Sequence, residues 1–175
     1  YGVARHEIMY NDFVMVGPPD DTAGVRGLQD AGLALGRIAA VKAMFVSRGD
    51  DSGTHKKELA LWKDAGIQPQ GNWYREVGQG MGKTLQIAGE TEGYTLVDRG
   101  TWLAYQAHSP LELLVSGAAG LKNPYGIIAV NAKRFPDTNH QAAGRLIEWF
   151  QSDRAHELIA GYRVNGEQLF YPVGN

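Results

Sequence analysis

Residues 45–66 constrain the fold of this chain more tightly than any other stretch. The apolar run Phe45-Val46-Ser47 ends at Arg48, and a small polar turn, Gly49-Asp50-Asp51-Ser52-Gly53, follows it. Thr54-His55-Lys56-Lys57-Glu58-Leu59-Ala60-Leu61-Trp62-Lys63-Asp64-Ala65 then carries an amphipathic pattern, with Gly66 in the place of a C′ glycine. The order is strand, turn, helix. Asp51, Ser52 and Thr54 can each offer a side-chain oxygen to the free amides of a helix start. Such a start has orphan N–H donors and a partial positive charge, which suits an anion. Ser52 and Thr54 add hydroxyls, Gly53 lets the backbone come close, and Arg48 can supply a planar cationic fork. The same residues also read as an ordinary, well-capped strand–turn–helix with a surface arginine.

A second glycine-rich turn follows a short predicted strand, Trp73-Tyr74-Arg75-Glu76-Val77. Gly78-Gln79-Gly80-Met81-Gly82-Lys83-Thr84 leads into Leu85-Gln86-Ile87-Ala88-Gly89-Glu90, a second predicted helix start. It nearly spells a nucleotide-binding P-loop, which needs Gly, four residues, Gly, Lys and Ser or Thr. Here three residues separate Gly78 from Gly82-Lys83-Thr84, and no hydrophobic run ends in a Mg²⁺-binding Asp. The pattern therefore disfavours nucleotide hydrolysis. Backbone amides of Gly80, Met81, Gly82 and Lys83 at a helix start can still hold an oxyanion.

Elsewhere Ile8 to Val16 reads as a strand stopped by Gly17-Pro18-Pro19, and a helix is predicted from near Gly24 to Val41. Further strands are predicted at Tyr94–Val97, Leu111–Val115 and Tyr125–Val130. Asp98 is placed to cap a helix from Arg99 to about Ala107, and helices follow at Asn139–Phe150 and Ser152–Ile159. The tail from Arg163 to Asn175 looks turn-like. Strands alternating with helices predict an α/β layered fold. The long strands near 8–16 and 125–130 bracket the rest, which predicts an inserted lobe reached by two crossing segments beside Pro18-Pro19 and Asn123-Pro124.

Composition narrows the function classes. A hydrophobic content of 43% supports a real core, and a formal net charge of -2 offers no basic patch for nucleic acid or acidic membrane. Cysteine is absent, which removes disulfides, thiolate metal sites and Cys nucleophiles. The five histidines lack metal-ligand spacing, so no metal site and no resident cofactor are expected. Arg48-Gly49-Asp50 spells an adhesion tripeptide, but three residues in a strand–helix corner carry no such meaning. No Ser–His–Asp order is defensible, since capping already explains Ser52. No acid–base pair suggests catalysis, so the chain is not expected to be an enzyme. The four tryptophans are expected to pack a core or line a cleft. No run approaches a membrane span, and the chain opens on Tyr1 without an initiator Met or signal segment, as expected of a fragment or processed piece.

The strings Phe45 to Glu58, Trp73-Tyr74, Gly78-Gln79-Gly80-Met81-Gly82, Tyr94 to Thr101 and Asn123 to Asn131 resemble the tungstate-binding proteins of ABC importers. The resemblance runs over nearly the whole chain. It implies an extracytoplasmic or periplasmic solute receptor of the type II binding-protein architecture, with two α/β lobes and a cleft. Such a receptor captures tungstate, or molybdate, and delivers it to the transmembrane permease subunit. Carried over by motif, the anion ligands are Arg48, Ser52, Gly53 and Thr54 at one helix start, with the backbone of Gly80, Met81 and Gly82 at a second. Family members begin with a further segment of the first lobe, bearing a Thr/Ser-rich turn that this sequence does not contain. The expected organisation is thus a complete second lobe at 18–121 and the remainder of an incomplete first lobe at 1–17 and 122–175. Its uncovered apolar surface is expected to favour dimerisation. Two rivals stay open: a P-loop-like phosphate-binding enzyme, and the ligand-sensing effector domain of a transcription regulator. Tungstate, molybdate and sulfate differ little in size, so resemblance alone selects among them.

Overall fold

The longest strand, β1 (Gly2–Gly17), passes through both units into which the chain divides, Tyr1–Asn11 with Asn123 onward, and Asp12–Lys122. The computed structural model describes residues 1–173, so the last two residues of the predicted tail, Gly174 and Asn175, lie outside the described residues.

The unit Asp12–Lys122 contains α1 (Ala31–Val41), β2 (Phe45–Ser47), α2 (Gly53–Asp64), β3 (Tyr74–Glu76), α3 (Met81–Glu90), β4 (Thr95–Asp98), α4 (Arg99–Tyr105), a 3-10 turn at Gln106–His108 and β5 (Glu112–Val115). β2 pairs with β3 in parallel, Phe45 against Tyr74 and Ser47 against Glu76, and a parallel bridge joins Phe45 to Tyr94 at the start of β4. β1 pairs antiparallel with β4 and with β5. Alternate residues of the strands feed two cores, as a period of two requires. Phe13, Met15, Phe45 and Leu96 join Leu35, Ile38, Leu61 and Trp62 in one. Val14, Val16, Val46 and Val97 join Met81, Leu85, Ala88 and Trp102 in the other. Helices therefore cover both faces, the layered α/β arrangement predicted from the sequence.

The unit of Tyr1–Asn11 and residues from Asn123 holds the first part of β1, β6 (Lys122–Val130, whose first residue belongs to the other unit), α5 (His140–Phe150), α6 (Asp153–Gly161) and the short strands β7 (Arg163–Val164), β8 (Glu167–Gln168) and β9 (Tyr171–Pro172). β6 and β9 both pair with β1. Asn139 and Ser152 cap α5 and α6, accepting the amides of Ala142 and Ala155. The core is thin: Ile8, Ile147, Ala155 and Leu169 are its buried apolar residues among those described, while Ile128, Val130 and Trp149 stay exposed.

Three expectations change. The helix predicted from Gly24 begins only at Ala31, where Asp30 accepts the amide of Leu33 at 2.9 Å. The Asp21 carboxylate draws in the amides of Val25 and Arg26, and Gly24 and Gly27 take positive φ, so residues 21–28 turn instead of winding. The tail carries short strands where only turns were predicted. The compact unit starts at Asp12 and runs to Lys122, against the predicted 18–121, because Phe13–Val16 pair with β4.

Candidate anion site

The parallel strands β2, β3 and β4 bring the starts of α2, α3 and α4 to one edge of the sheet, where ligands of open α/β sheets bind. Three residues competed in the sequence to cap α2. Ser52 does so, with extended backbone and its Oγ accepting the His55 amide at 3.3 Å. The first helical bond runs from the Lys56 amide to the Ser52 carbonyl, which leaves the amides of Gly53 and Thr54 without an acceptor in the helix. A Cβ on Gly53 would meet nothing within 4 Å, so this end is open. Thr54 is buried on the inner side of the same turn.

The turn before Ser52 is held from within. Gly49 and Asp51 both take φ +58°, a left-handed conformation costly for Asp51. Ser47 Oγ accepts the Gly49 amide at 3.3 Å, His55 Nδ1 accepts the Asp51 amide at 3.0 Å, and Asp50 Oδ1 accepts the Ser52 amide at 3.2 Å. A Cβ on Gly49 would stand 2.7 Å from Glu76 Cβ, so the residue must be glycine for the turn to lie against the end of β3.

Arg48 departs from expectation. Its fork is not free: Nε donates to Asp50 Oδ2 at 3.0 Å and Nη2 to the same oxygen at 2.5 Å. Nη1 makes no hydrogen bond among the described residues. Burial alone would raise the Asp50 carboxyl, but hydrogen bonds from Ser52 and Arg48 and the adjacent guanidinium charge bring it down to about 2. The Asp50 carboxylate therefore stays ionised across the neutral range, and the pair lies half-buried at the mouth of the turn.

At the second start, Gly80 occupies the N-cap of α3 with no side-chain cap. The amides of Met81, Gly82 and Lys83 consequently lack acceptors in the helix, whose first bond runs from Thr84 N to Gly80 O. Met81 contributes backbone only, since its side chain anchors the helix in the second core. Gly82 lets the Tyr105 hydroxyl lie against this first turn, where a Cβ would come within 2.6 Å of it. The two starts are joined directly: Val77 N–H donates to Ser47 O at 3.0 Å and Gln79 N–H to Arg48 O at 3.2 Å. Arg48, Ser52, Gly53 and Thr54 thus neighbour Gly80, Met81 and Gly82 on one edge. The residues of the near P-loop face elsewhere. Thr84 Oγ1 bonds the Gly80 carbonyl of its own helix, and Lys83 Nζ donates to Gln86.

Beneath the site lies a group that residue-by-residue motif matching overlooks. Glu58 is 2% exposed and accepts Ser47 Oγ at 2.7 Å, Trp62 Nε1 at 3.1 Å and Tyr74 Oη at 2.8 Å. Burial raises its carboxyl above the ordinary value, opposed by those three donors. The available signal was helical spacing, because Thr54, Glu58, Leu61 and Trp62 share one face of α2 and only Glu58 is charged. Among the described residues no cluster of His, Asp and Glu could hold a metal ion, and no helix is long and apolar enough to cross a membrane.

Known proteins resemble this chain in sequence and fold. The profile of the PBP superfamily domain matches residues 1–154. The chain is 43% identical over 175 residues to the tungstate-binding protein TupA of Peptoclostridium acidaminophilum, covering 98% of this chain and 61% of that one. It superposes on the solved tungstate-binding protein TupA of Desulfovibrio alaskensis with a TM-score of 0.92 at 42% identity, covering 100% of this chain and 72% of the other. A solved tungstate ABC transporter structure from Geobacter sulfurreducens gives a TM-score of 0.80 at 48% identity, over 93% and 69% of the two chains. The chain spans 52% to 65% of the length of the curated relatives it matches. With this profile, these identities and the shared fold, the chain belongs to the PBP superfamily, in the family of these tungstate-binding proteins.

Proposed function

We propose that this chain is the anion-recognising part of a non-enzymatic, extracytoplasmic solute receptor that captures tungstate, or molybdate, and presents it to the permease of an ABC importer. The reading rests on one observation above all: two helix starts with unpartnered amides stand side by side, joined by the Gln79–Arg48 hydrogen bond. The names of the tungstate-binding relatives support the choice of ligand. A tetrahedral dianion entering such a site must regain donors for every oxygen it withdraws from water. Hydrogen bonds to a charged group contribute roughly 1.5–3 kcal/mol each. Five or six of them therefore offset desolvation and leave room for nanomolar binding, about -12 kcal/mol. Amides of Gly53, Thr54, Met81 and Gly82 with the hydroxyls of Ser52 and Thr54 are such donors, and they require no matching countercharge.

Calorimetric titration with tungstate, molybdate and sulfate tests the proposal, and absence of binding to all three rejects it for this chain. Arg48→Ala is expected to weaken tungstate binding tenfold or more, about 1.4 kcal/mol. It removes a cation and also leaves the Asp50 charge uncompensated beside the anion. Asp50→Asn is expected to act oppositely. Its amide oxygen can still accept the Ser52 N–H while the guanidinium is released, so affinity should rise about threefold or more. Unchanged affinity in both variants would remove Arg48 from the site.

A further inference from the structure

His55 lies one turn inside α2 and its ring is buried, 9% exposed. Its two nitrogens have different surroundings. Nδ1 accepts the Asp51 amide at 3.0 Å, which places the ring proton on Nε2. Nε2 is buried without a hydrogen-bond partner, and Glu76 Oε1 stands 3.5 Å from it, long for a hydrogen bond. A buried, unpartnered N–H calls for a reason, because leaving it unmade is costly. Asp51 supplies one. It is a non-glycine residue at φ +58°, a backbone strain that persists only where neighbours over-determine it. The next residue, Ser52, caps α2 and bounds the open amides of Gly53 and Thr54. Glu76, the carboxylate facing Nε2, ends β3 four residues before the cap of α3.

We propose that His55 is a positioning residue for the anion site: through Nδ1 it holds Asp51 in the left-handed conformation from which Ser52 opens α2, while Nε2 stands toward Glu76 and the segment that opens α3. The inference rests on the anion-receptor reading for its consequence, but its geometry is independent of any ligand. The groups facing the ring are the backbone N–H of Asp51 from its own turn, the Glu58 carboxyl from its own helix and the Glu76 carboxylate from β3.

Two substitutions divide the roles. His55→Asn places an amide oxygen near the Nδ1 position and keeps the acceptor for Asp51. His55→Gln places an amide nitrogen near the Nε2 position and keeps only the donor toward Glu76. Both delete the same ring, and asparagine fills less of its space, so a role in packing alone would harm His55→Asn at least as much as His55→Gln. Nitrogen NMR of the 175-residue chain should find the Nε2–H tautomer, with scalar coupling across the Asp51 N–H···Nδ1 bond. Amide shifts of Asp51, Ser52 and Gly53 should be nearly retained in His55→Asn and displaced in His55→Gln. Calorimetry with tungstate should find affinity within threefold of the parent in His55→Asn and at least tenfold weaker in His55→Gln. An Nδ1–H tautomer, or amide shifts and affinities changing alike in the two variants, would overturn the assignment. If the parent chain binds no tungstate while the amide shifts still separate the variants, the positioning role stands and the receptor reading fails.

Discussion

Glu58→Ala is expected to cost the unit Asp12–Lys122 about 3–5 kcal/mol, which would lower its melting temperature by roughly 6–20 °C. The carboxylate is the shared acceptor of three donors, and removing it leaves the Trp62 indole N–H and the Ser47 hydroxyl buried with nothing to receive them. Tyr74 Oη, on a half-buried ring, can recover a water and loses less. An unmade buried bond costs about 1–3 kcal/mol, more than the same bond contributes when made, so the deletion is worse than the sum of three ordinary contacts. Glu58→Gln tests the reason. Its carbonyl can still accept from Trp62 and Tyr74, and its amide can donate to Ser47 Oγ, so a loss of about 1 kcal/mol is expected. Thermal melts read both variants, and a loss in Glu58→Ala no larger than in Glu58→Gln would show that the three donors find partners elsewhere.

The same residue gives a pH dependence of unusual sign. Burial, the largest influence, raises the Glu58 carboxyl above its ordinary value of 4.5. The folded state therefore holds this proton more tightly than the unfolded chain. The stability it contributes is complete below the unfolded value and is lost as pH rises through the folded one. Most paired carboxylates behave in the opposite way; Asp50, brought down to about 2, is the local example. Subtracting the melting profile of Glu58→Gln from that of the parent should leave a component that falls with rising pH above about 4.5. Ser47 connects this chemistry to the site, because its hydroxyl donates to Glu58 and accepts the Gly49 amide of the anion turn.

What the sequence disclosed and what it withheld divide along a physical line. Caps are local, so Ser52, Asp98, Asn139 and Ser152 are legible from a side-chain oxygen three residues before the amide it accepts. The apolar run Phe13-Val14-Met15-Val16 disclosed a strand, and the structure buries both of its faces. The start of α1 was not legible, since Asp21 reaches forward to the amides of Val25 and Arg26 and no propensity argument fixes that side chain. Helix starts at Ser52 and Gly80 could be found, but their adjacency depends on β2 pairing in parallel with β3, a contact across the chain. The partner of Arg48 was hidden although Asp50 is only two residues away. Which carboxylate a guanidinium takes is a rotamer choice, made here by a turn whose left-handed residues the sequence does not announce. Glu58 was hidden by its charge, which reads as a solvated face until three donors are seen around it.

Gly80→Asp is expected to abolish anion binding, by a hundredfold or more, while the helix it caps becomes slightly more stable. Gly80 has φ -63°, a value any residue adopts, and a Cβ there would meet nothing within 4 Å. The α3 start has no side-chain cap, so the new carboxylate can accept the amide of Gly82 or Lys83 as an N-cap aspartate does. Aspartate in place of glycine at such a position gains a few tenths of a kcal/mol, and the negative charge also suits the helix dipole. The amides are then occupied from within the chain, and an incoming dianion meets a fixed negative charge where the receptor reading gives it donors. Losing two such donors, at roughly 1.5–3 kcal/mol each, already exceeds the 2.7 kcal/mol that a hundredfold represents. Stability and affinity should therefore move in opposite directions, which general damage to the fold cannot produce. Titration of the variant with tungstate, beside a thermal melt, reads both. Affinity within threefold of the parent would take the start of α3 out of the site and leave the α2 turn to bind alone.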